Sequence, residues 1–225
     1  MSNSEILKEF WYDLTDYQRN AILNNCLDEY DKFLQGKEFD VEVVKKYVKV
    51  GSYKFVEHAE NGNLELVKAY IRLGADVHAG DDYALKYAAE NGHLDVVKYL
   101  VELGVDIHAI NDDEALQMSS KNGHLDVVKY LVEQGADIHA ENDYALRIAS
   151  GNGHLSVVKY LVECGADIHA DKESALRWSV EKGHLSVVKC LVELGADIHA
   201  VGDYALQCAA GDGHTEVMEY LKSVS

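Results

Sequence analysis

The chain of 225 residues carries 39 acidic against 21 basic side chains, a formal net charge of −18 at pH 7, with 48% hydrophobic residues and no proline. That sign argues against nucleic acid or an anionic membrane as partner, because both are held by Lys and Arg that neutralise phosphate. No run of about 18 apolar residues occurs, so no membrane-spanning helix is expected.

The segment Met1–Glu9 lacks the apolar block of a secretory signal, so a cytoplasmic protein is expected. Cys26, Cys164, Cys190 and Cys208 have no CxxC spacing and read as reduced packing residues. In chain order, Ser2 with Glu5 and Thr15 with Gln18 have the spacing of capping boxes that open helices. Leu7, Phe10, Trp11 and Leu14, then Leu23, Leu27, Tyr30 and Leu34, recur at helical spacing, with Gly36 as a stop. The stretch 40–51 aligns without gaps on His93–Gly104 and reads as the second helix of a degenerate repeat. Residues 1–52 are therefore expected to form a helical N-terminal cap over the core edge that a stack of repeats exposes.

From residue 53 the chain repeats itself. Gly62, Gly92, Gly123, Gly153, Gly183 and Gly213 lie 30, 31, 30, 30 and 30 residues apart, and a fixed period of this length marks a solenoid. The units are 53–82, 83–113, 114–143, 144–173, 174–203 and a truncated 204–225. In the second unit Asp82 is placed as a helix N-cap, followed by a stripe of Ala84, Leu85, Ala88 and Ala89. Asn91-Gly92 ends that helix, since glycine takes the left-handed conformation of a C-terminal cap. A second helix starts at Leu94 with Val97, Leu100 and Val101 inward and Asp95, Lys98 and Glu102 in solvent, and Gly104 stops it. Asp113, Asp143 and Asp203 are placed as the same cap in later units, with Glu173 a weaker one. The fold class expected is all-α, helix-turn-helix units stacked side by side.

Gly-His-Leu-x-Val-Val at the second helix and Gly-Ala-Asp-Ile-His-Ala after it resemble the ankyrin repeat family, over residues 53–225. Two departures stand out. Tyr83-Ala84-Leu85-Lys86 replaces the family's Thr-Pro-Leu-His, and the connecting hairpin is three residues short of the usual 33-residue unit. The 30-residue version, with Asp-Ile-His-Ala and Tyr-Ala-Leu-Arg, is similar to the ankyrin families of giant viruses that infect amoebae (mimivirus-like). The resemblance implies a monomeric, non-catalytic scaffold that binds a partner protein through a concave face, here a viral protein acting on host proteins in the host cytoplasm. Two alternatives are a substrate-recognition adaptor that recruits ubiquitin-ligase machinery through residues 1–52, and a structural virion component.

Ten of the eleven histidines are periodic. His93, His124, His154, His184 and His214 follow the glycine; His78, His108, His139, His169 and His199 follow the Asp-Val/Ile pair. Helices stacked ~8–10 Å apart cannot share an ion that needs ligands at ~2.0–2.1 Å, so these side chains are expected to make framework hydrogen bonds. His58 reads as packing. Phosphate-loop, HExxH and GxSxG motifs and paired-Cys zinc spacing are missing, and the abundant carboxylates are expected to stay solvated at tips. No catalytic residue, cofactor or metal is expected. Variation between units concentrates at Lys86/Tyr87, Gln117/Met118, Arg147/Ile148, Arg177/Trp178 and Gln207/Cys208, which map onto the inner helix surface where members of the resembled family bind ligands. Lys86, Tyr87, Gln117, Met118, Arg147, Ile148, Arg177, Trp178 and Gln207 are the candidate partner-binding residues, with inter-repeat packing as the competing role of Trp178. The resemblance also implies that His108, His139, His169 and His199 could be hydroxylated by an oxygen-dependent enzyme, since each follows a leucine eight positions earlier and an aspartate two positions earlier.

Overall fold

Every helix pair in this chain turns on glycine. The computed structural model describes residues 14, 15, 18, 19, 52–108 and 113–225 and holds no strand among them. It contains twelve helices there: α1 (Ser52–Glu60), α2 (Leu64–Arg72), α3 (Ala79–Glu90), α4 (Leu94–Glu102), α5 (Glu114–Lys121), α6 (Leu125–Glu133), α7 (Ala140–Gly151), α8 (Leu155–Glu163), α9 (Ala170–Glu181), α10 (Leu185–Glu193), α11 (Ala200–Gly211) and α12 (Thr215–Val224). Odd-numbered helices are the first of each pair and even-numbered ones the second. At the end of α5, Gly123 N–H bonds to Ser120 O and His124 N–H to Ser119 O. At the end of α6, Gly135 N–H bonds to Val132 O and Ala136 N–H to Leu131 O. This paired 5→2 and 6→1 pattern is the Schellman cap, and it needs a left-handed residue, here φ +77° at Gly123 and +100° at Gly135.

Two compact units divide the chain, residues 1–88 with 93–105 and residues 89–92 with 106–225. In the first, α2 buries Leu66, Val67, Ala69 and Tyr70, and α2 packs against both α1 and α4. His58 is buried with its ring tilted against Tyr70 at 5.2 Å, the packing role expected of it. In the second unit α5, α7, α9 and α11 pack in sequence as one row. The row of α6, α8, α10 and α12 makes less extensive contact. Small buried residues such as Ala145 and Ala149 on α7 let first helices approach closely. Fully buried Val157, Val158 and Leu161 fill the space under α8. The inward stripe is Val96, Val97 and Leu100 on α4 rather than the expected Val97, Leu100 and Val101; Val101 is only half-buried. The reason is geometric: the buried arc runs from Val96 to Val97 and returns at Leu100, and Val101 lies at its edge.

The expectation of aspartate N-caps is corrected. Asp113 makes no side-chain bond to the following helix. Instead the connection is one left-handed turn. Glu141, Asn142 and Asp143 all have φ between +50° and +56°, Asp171, Lys172 and Glu173 lie between +48° and +61°, and Val201, Gly202 and Asp203 lie between +55° and +70°. Each non-glycine residue in this region costs roughly 1–2 kcal/mol, and a β-branched one such as Val201 is the least suited to it. Carboxylates offset that cost: His139 Nδ1–H donates to Asp143 Oδ1, His139 N–H to Asp137 Oδ1, and Asp167 N–H of the next repeat also to Asp143 Oδ1. Asp82, Asp113, Asp143 and Glu173 are buried, not solvated as expected of tip acids.

Of the N-terminal expectations, the capping box at Thr15 forms. Thr15 N–H donates to Gln18 Oε1 at 2.8 Å, and Gln18 N–H to Thr15 Oγ1 at 3.3 Å. Leu14 of the first stripe is buried; the Ser2–Glu5 box, the other stripe residues, Cys26 and the degenerate repeat at 40–51 lie outside the described residues. Cys190 is buried as expected, whereas Cys164 stands exposed just past the end of α8.

Neighbouring repeats are locked by the second periodic histidine. The Nε2–H of His154 donates to Lys121 O at 2.8 Å, and its ring lies on Gly123, where a Cβ would come within 2.4 Å of Nδ1. The same bond runs from His93 to Glu60, His124 to Glu90, His184 to Gly151 and His214 to Glu181. Gly213 has nearly the same φ, +76°, but nothing within 4 Å of a built Cβ. Gly123→Ala is therefore expected to lose ~1–3 kcal/mol more stability than Gly213→Ala, read from urea unfolding. His154→Ala in the same chain should remove most of that excess. Equal losses at the two glycines would show that only backbone strain is at work.

Candidate partner-binding face

The candidate residues fall in two columns along the first helices. The first column, Lys86, Gln117, Arg147, Arg177 and Gln207, varies in identity but carries an N–H donor at every position. Three of these donors brace the left-handed turn beneath them. Arg147 Nη2 donates to Glu141 O at 2.8 Å, Gln207 Nε2 to Gly202 O at 2.9 Å and Arg177 Nη1, at 3.5 Å, to Lys172 O. The variation between units therefore conceals a shared structural task, and the signal that could have revealed it was the constant donor type.

Arg147 is the most committed of them. It is 9% exposed, pairs with Asp171 of the next repeat at 2.9 Å, and its guanidinium stacks on Tyr144 at 5.2 Å and on Trp178 at 5.3 Å. Asp171 is held below the usual carboxylate range, first by the Ser174 hydroxyl and then by Arg147. Gln117 is likewise buried. Arg177 is half-buried over the Tyr204 ring at 4.9 Å, Gln207 is exposed, and Lys86 is half-buried over Tyr83 and Tyr87 at 5.7 and 5.4 Å.

In the second column Met118, Ile148 and Trp178 are half-buried and form a mostly apolar floor in the second unit, and Tyr87 of the first unit is half-buried as well. Trp178 stands edge-on to Tyr144 at 6.1 Å and lies against Gly151, whose added Cβ would meet Trp178 Cβ at 3.2 Å. One part of the Trp178 ring thus packs between repeats, and another faces a groove of about 300 Å³.

The hairpin histidines are brought together with carboxylates, not with one another. His78, His108, His139 and His199 donate from Nδ1 to Asp82, Asp113, Asp143 and Asp203 at 2.6–2.9 Å, and His169 donates to Glu173. Every imidazole remains more than half exposed. The near-constant spacing of an acid four residues after the histidine (five at His108) was legible, but capping chemistry competed for the same aspartate.

A family model described as "Ankyrin repeats (3 copies)" matches residues 55–142 and again 139–202. No curated protein matches the chain.

The His–acid pairs make a pH prediction. The bond to Asp113 raises His108 above its ordinary 6.5, and Asp106 and Asp137 add to it; the bond to Glu173 raises His169, with help from Asp167 and Asp197. Burial also raises Asp113 above 3.8, outweighing the lowering effect of His108. A histidine raised in the folded state gives stability that is complete below 6.5 and lost as pH rises through the folded value. Stability should therefore fall between pH 6 and pH 8, and fall less in the double variant His108→Gln, His169→Gln. Chemical denaturation at both pH values reads this, and identical pH slopes in the two proteins would refute it.

Proposed function

Because this chain belongs to the ankyrin-repeat family, whose repeats are general protein–protein interaction modules, we propose that it binds a partner protein through its first-helix face and catalyses no reaction. The observation that carries this reading is the apolar column of Met118, Ile148 and Trp178. It is left half-exposed beside Arg177, at positions whose identity varies from repeat to repeat. Trp and Arg dominate the energetics of protein interfaces. Arg147 and Gln117 support the face from beneath. Met118, Ile148, Arg177, Trp178 and Gln207 present it in the second unit, and Lys86 and Tyr87 hold the corresponding positions in the first. No helix among the described residues is long and apolar enough to cross a membrane.

The resemblance to the viral 30-residue repeats supports a narrower reading, a viral protein acting on host proteins in the host cytoplasm. An adaptor that recruits ubiquitin-ligase machinery through residues 1–52, or a virion component, are its competitors. Proximity labelling with the full chain and with residues 53–225 separates them, since an adaptor must lose some partners with the N-terminal segment. For whichever partner is labelled, Arg177→Ala or Trp178→Ala should weaken binding by ~2 kcal/mol or more. Lys159→Ala, on the exposed side of α8, should leave it unchanged. Equal binding by all three folded variants would refute the first-helix face.

Hydroxylation of His108, His139, His169 and His199 is a separate proposal, favoured by their exposed rings and opposed by the bonds that close each turn. The modifying enzyme needs an opened segment, and such openings are infrequent in a well-bonded element. Peptide mass spectrometry of protein from its natural source should find modification at one or more of the four. Unmodified peptides at all four would end the idea.

A further inference from the structure

Within the second unit, three departures from the repeat pattern meet at one groove. The residue two before the glycine is Glu60, Glu90 and Glu181 in three repeats, Lys121 and Gly151 in two that adjoin, and Gly211 in the last. The residue just before the glycine is Asn61, Asn91, Asn122 and Asn152, but Lys182 in the fifth and Asp212 in the sixth. Lys121, Gly151 and Lys182 all line the 300 Å³ groove whose floor is Ile148 and Trp178. Each change has a consequence there. Gly151 has no positive φ that would require it, and its missing Cβ is the space into which Trp178 fits. Lys121 and Lys182 close first helices, where a cation meets the carbonyl end of the dipole. Yet Glu or Gly and Asn or Asp stand at those places in the other repeats, so capping does not demand lysine.

The ion pairs that lysines form among the described residues involve Lys54 and Lys68, not these two. The remaining charge at the groove is Glu181, whose Oε1 already accepts the Tyr204 hydroxyl at 2.7 Å. The rim is thus basic in a chain of net charge −18. That net charge opposes an acidic ligand at long range, but charges beyond ~8 Å are screened at physiological ionic strength, so the two rim lysines govern a docked segment. The volume is at the low end of ligand pockets and suits one or two side chains rather than a domain surface.

Resting on the partner-binding reading above, we propose that this groove seats a bulky aliphatic or aromatic side chain of the partner, flanked by carboxylates that pair with Lys121 and Lys182. The apolar side chain lies on the Trp178 ring and Ile148, and the lysine stems complete the walls while their ammonium groups stay in water.

The chain has two tryptophans, Trp11 and Trp178, so 5-fluorotryptophan-labelled full-length protein gives two 19F resonances. Trp178→Phe assigns them. Titration with the peptide acetyl-Glu-Glu-Leu-Glu-Glu-amide should shift the Trp178 resonance saturably. Peptides with alanine for leucine, or with lysine for every glutamate, should not. The double variant Lys121→Glu, Lys182→Asn, which installs residues other repeats already tolerate, should melt like the parent and weaken the acidic peptide by about tenfold. The proposal is overturned by an unmoved Trp178 resonance, by an equal response to the basic peptide, or by unchanged affinity in the lysine variant. If it is overturned while Arg177→Ala still costs the full chain its labelled partner, the first-helix face stands and only the acidic occupant falls.

Discussion

A histidine ring resting on a glycine of the preceding repeat, with its Nε2–H bonded to a carbonyl at the end of that repeat's first helix, is the contact on which the stack depends. Each half needs the other. The glycine is required once by its left-handed backbone in the Schellman cap and a second time by the ring of the following repeat. The carbonyl that receives Nε2–H is one that the first helix leaves unsatisfied at its end. A single short motif thereby ends a helix, satisfies its terminus and sets the spacing to the next unit. Gly213, which no histidine ring meets here, keeps the backbone requirement alone.

The other junction works by compensation. Shortening the hairpin leaves three consecutive residues in left-handed backbone, a costly conformation for any side chain. The chain offsets this with charge-assisted bonds: a buried carboxylate receives an imidazole N–H from its own turn and, at Asp143, a backbone N–H from the next repeat. The acidity of the protein is thus partly architectural. Four of these turn acids are buried and engaged, so the net charge overstates what a partner meets at the surface.

The frame constrains the first-helix face. Arg147, Arg177 and Gln207 are drawn toward the turn carbonyls, and the better a side chain braces the turn, the less of it stays exposed. Arg147 shows the limit, enclosed by Asp171, Tyr144 and Trp178. The neighbouring column has no polar group to satisfy, so its size can change freely from Met118 to Ile148 to Trp178.

The sequence by itself determined the repeat length, the all-helical class, the glycine stop of the helices and the small-residue stripe of Ala84, Leu85, Ala88 and Ala89 on α3. These follow from local rules: a glycine at a helix end, a 3.6-residue apolar period and a fixed beat. It also showed the periodic histidines to be hydrogen-bonding groups. What it could not decide was which atoms they would meet. Asp143 is equally suited in sequence to cap a helix or to receive His139, and only the left-handed path of the turn, set by a hairpin three residues short, turns its carboxylate backwards. Val96 rather than Val101 faces inward because neighbouring repeats, not the isolated helix, define the buried arc. Arg147 and Trp178 look alike as candidate binding residues in a single repeat; the adjoining repeat encloses one and leaves the other half-open. Local backbone preference is written in nearest neighbours along the chain, whereas burial and pairing are decided by residues about 30 positions away.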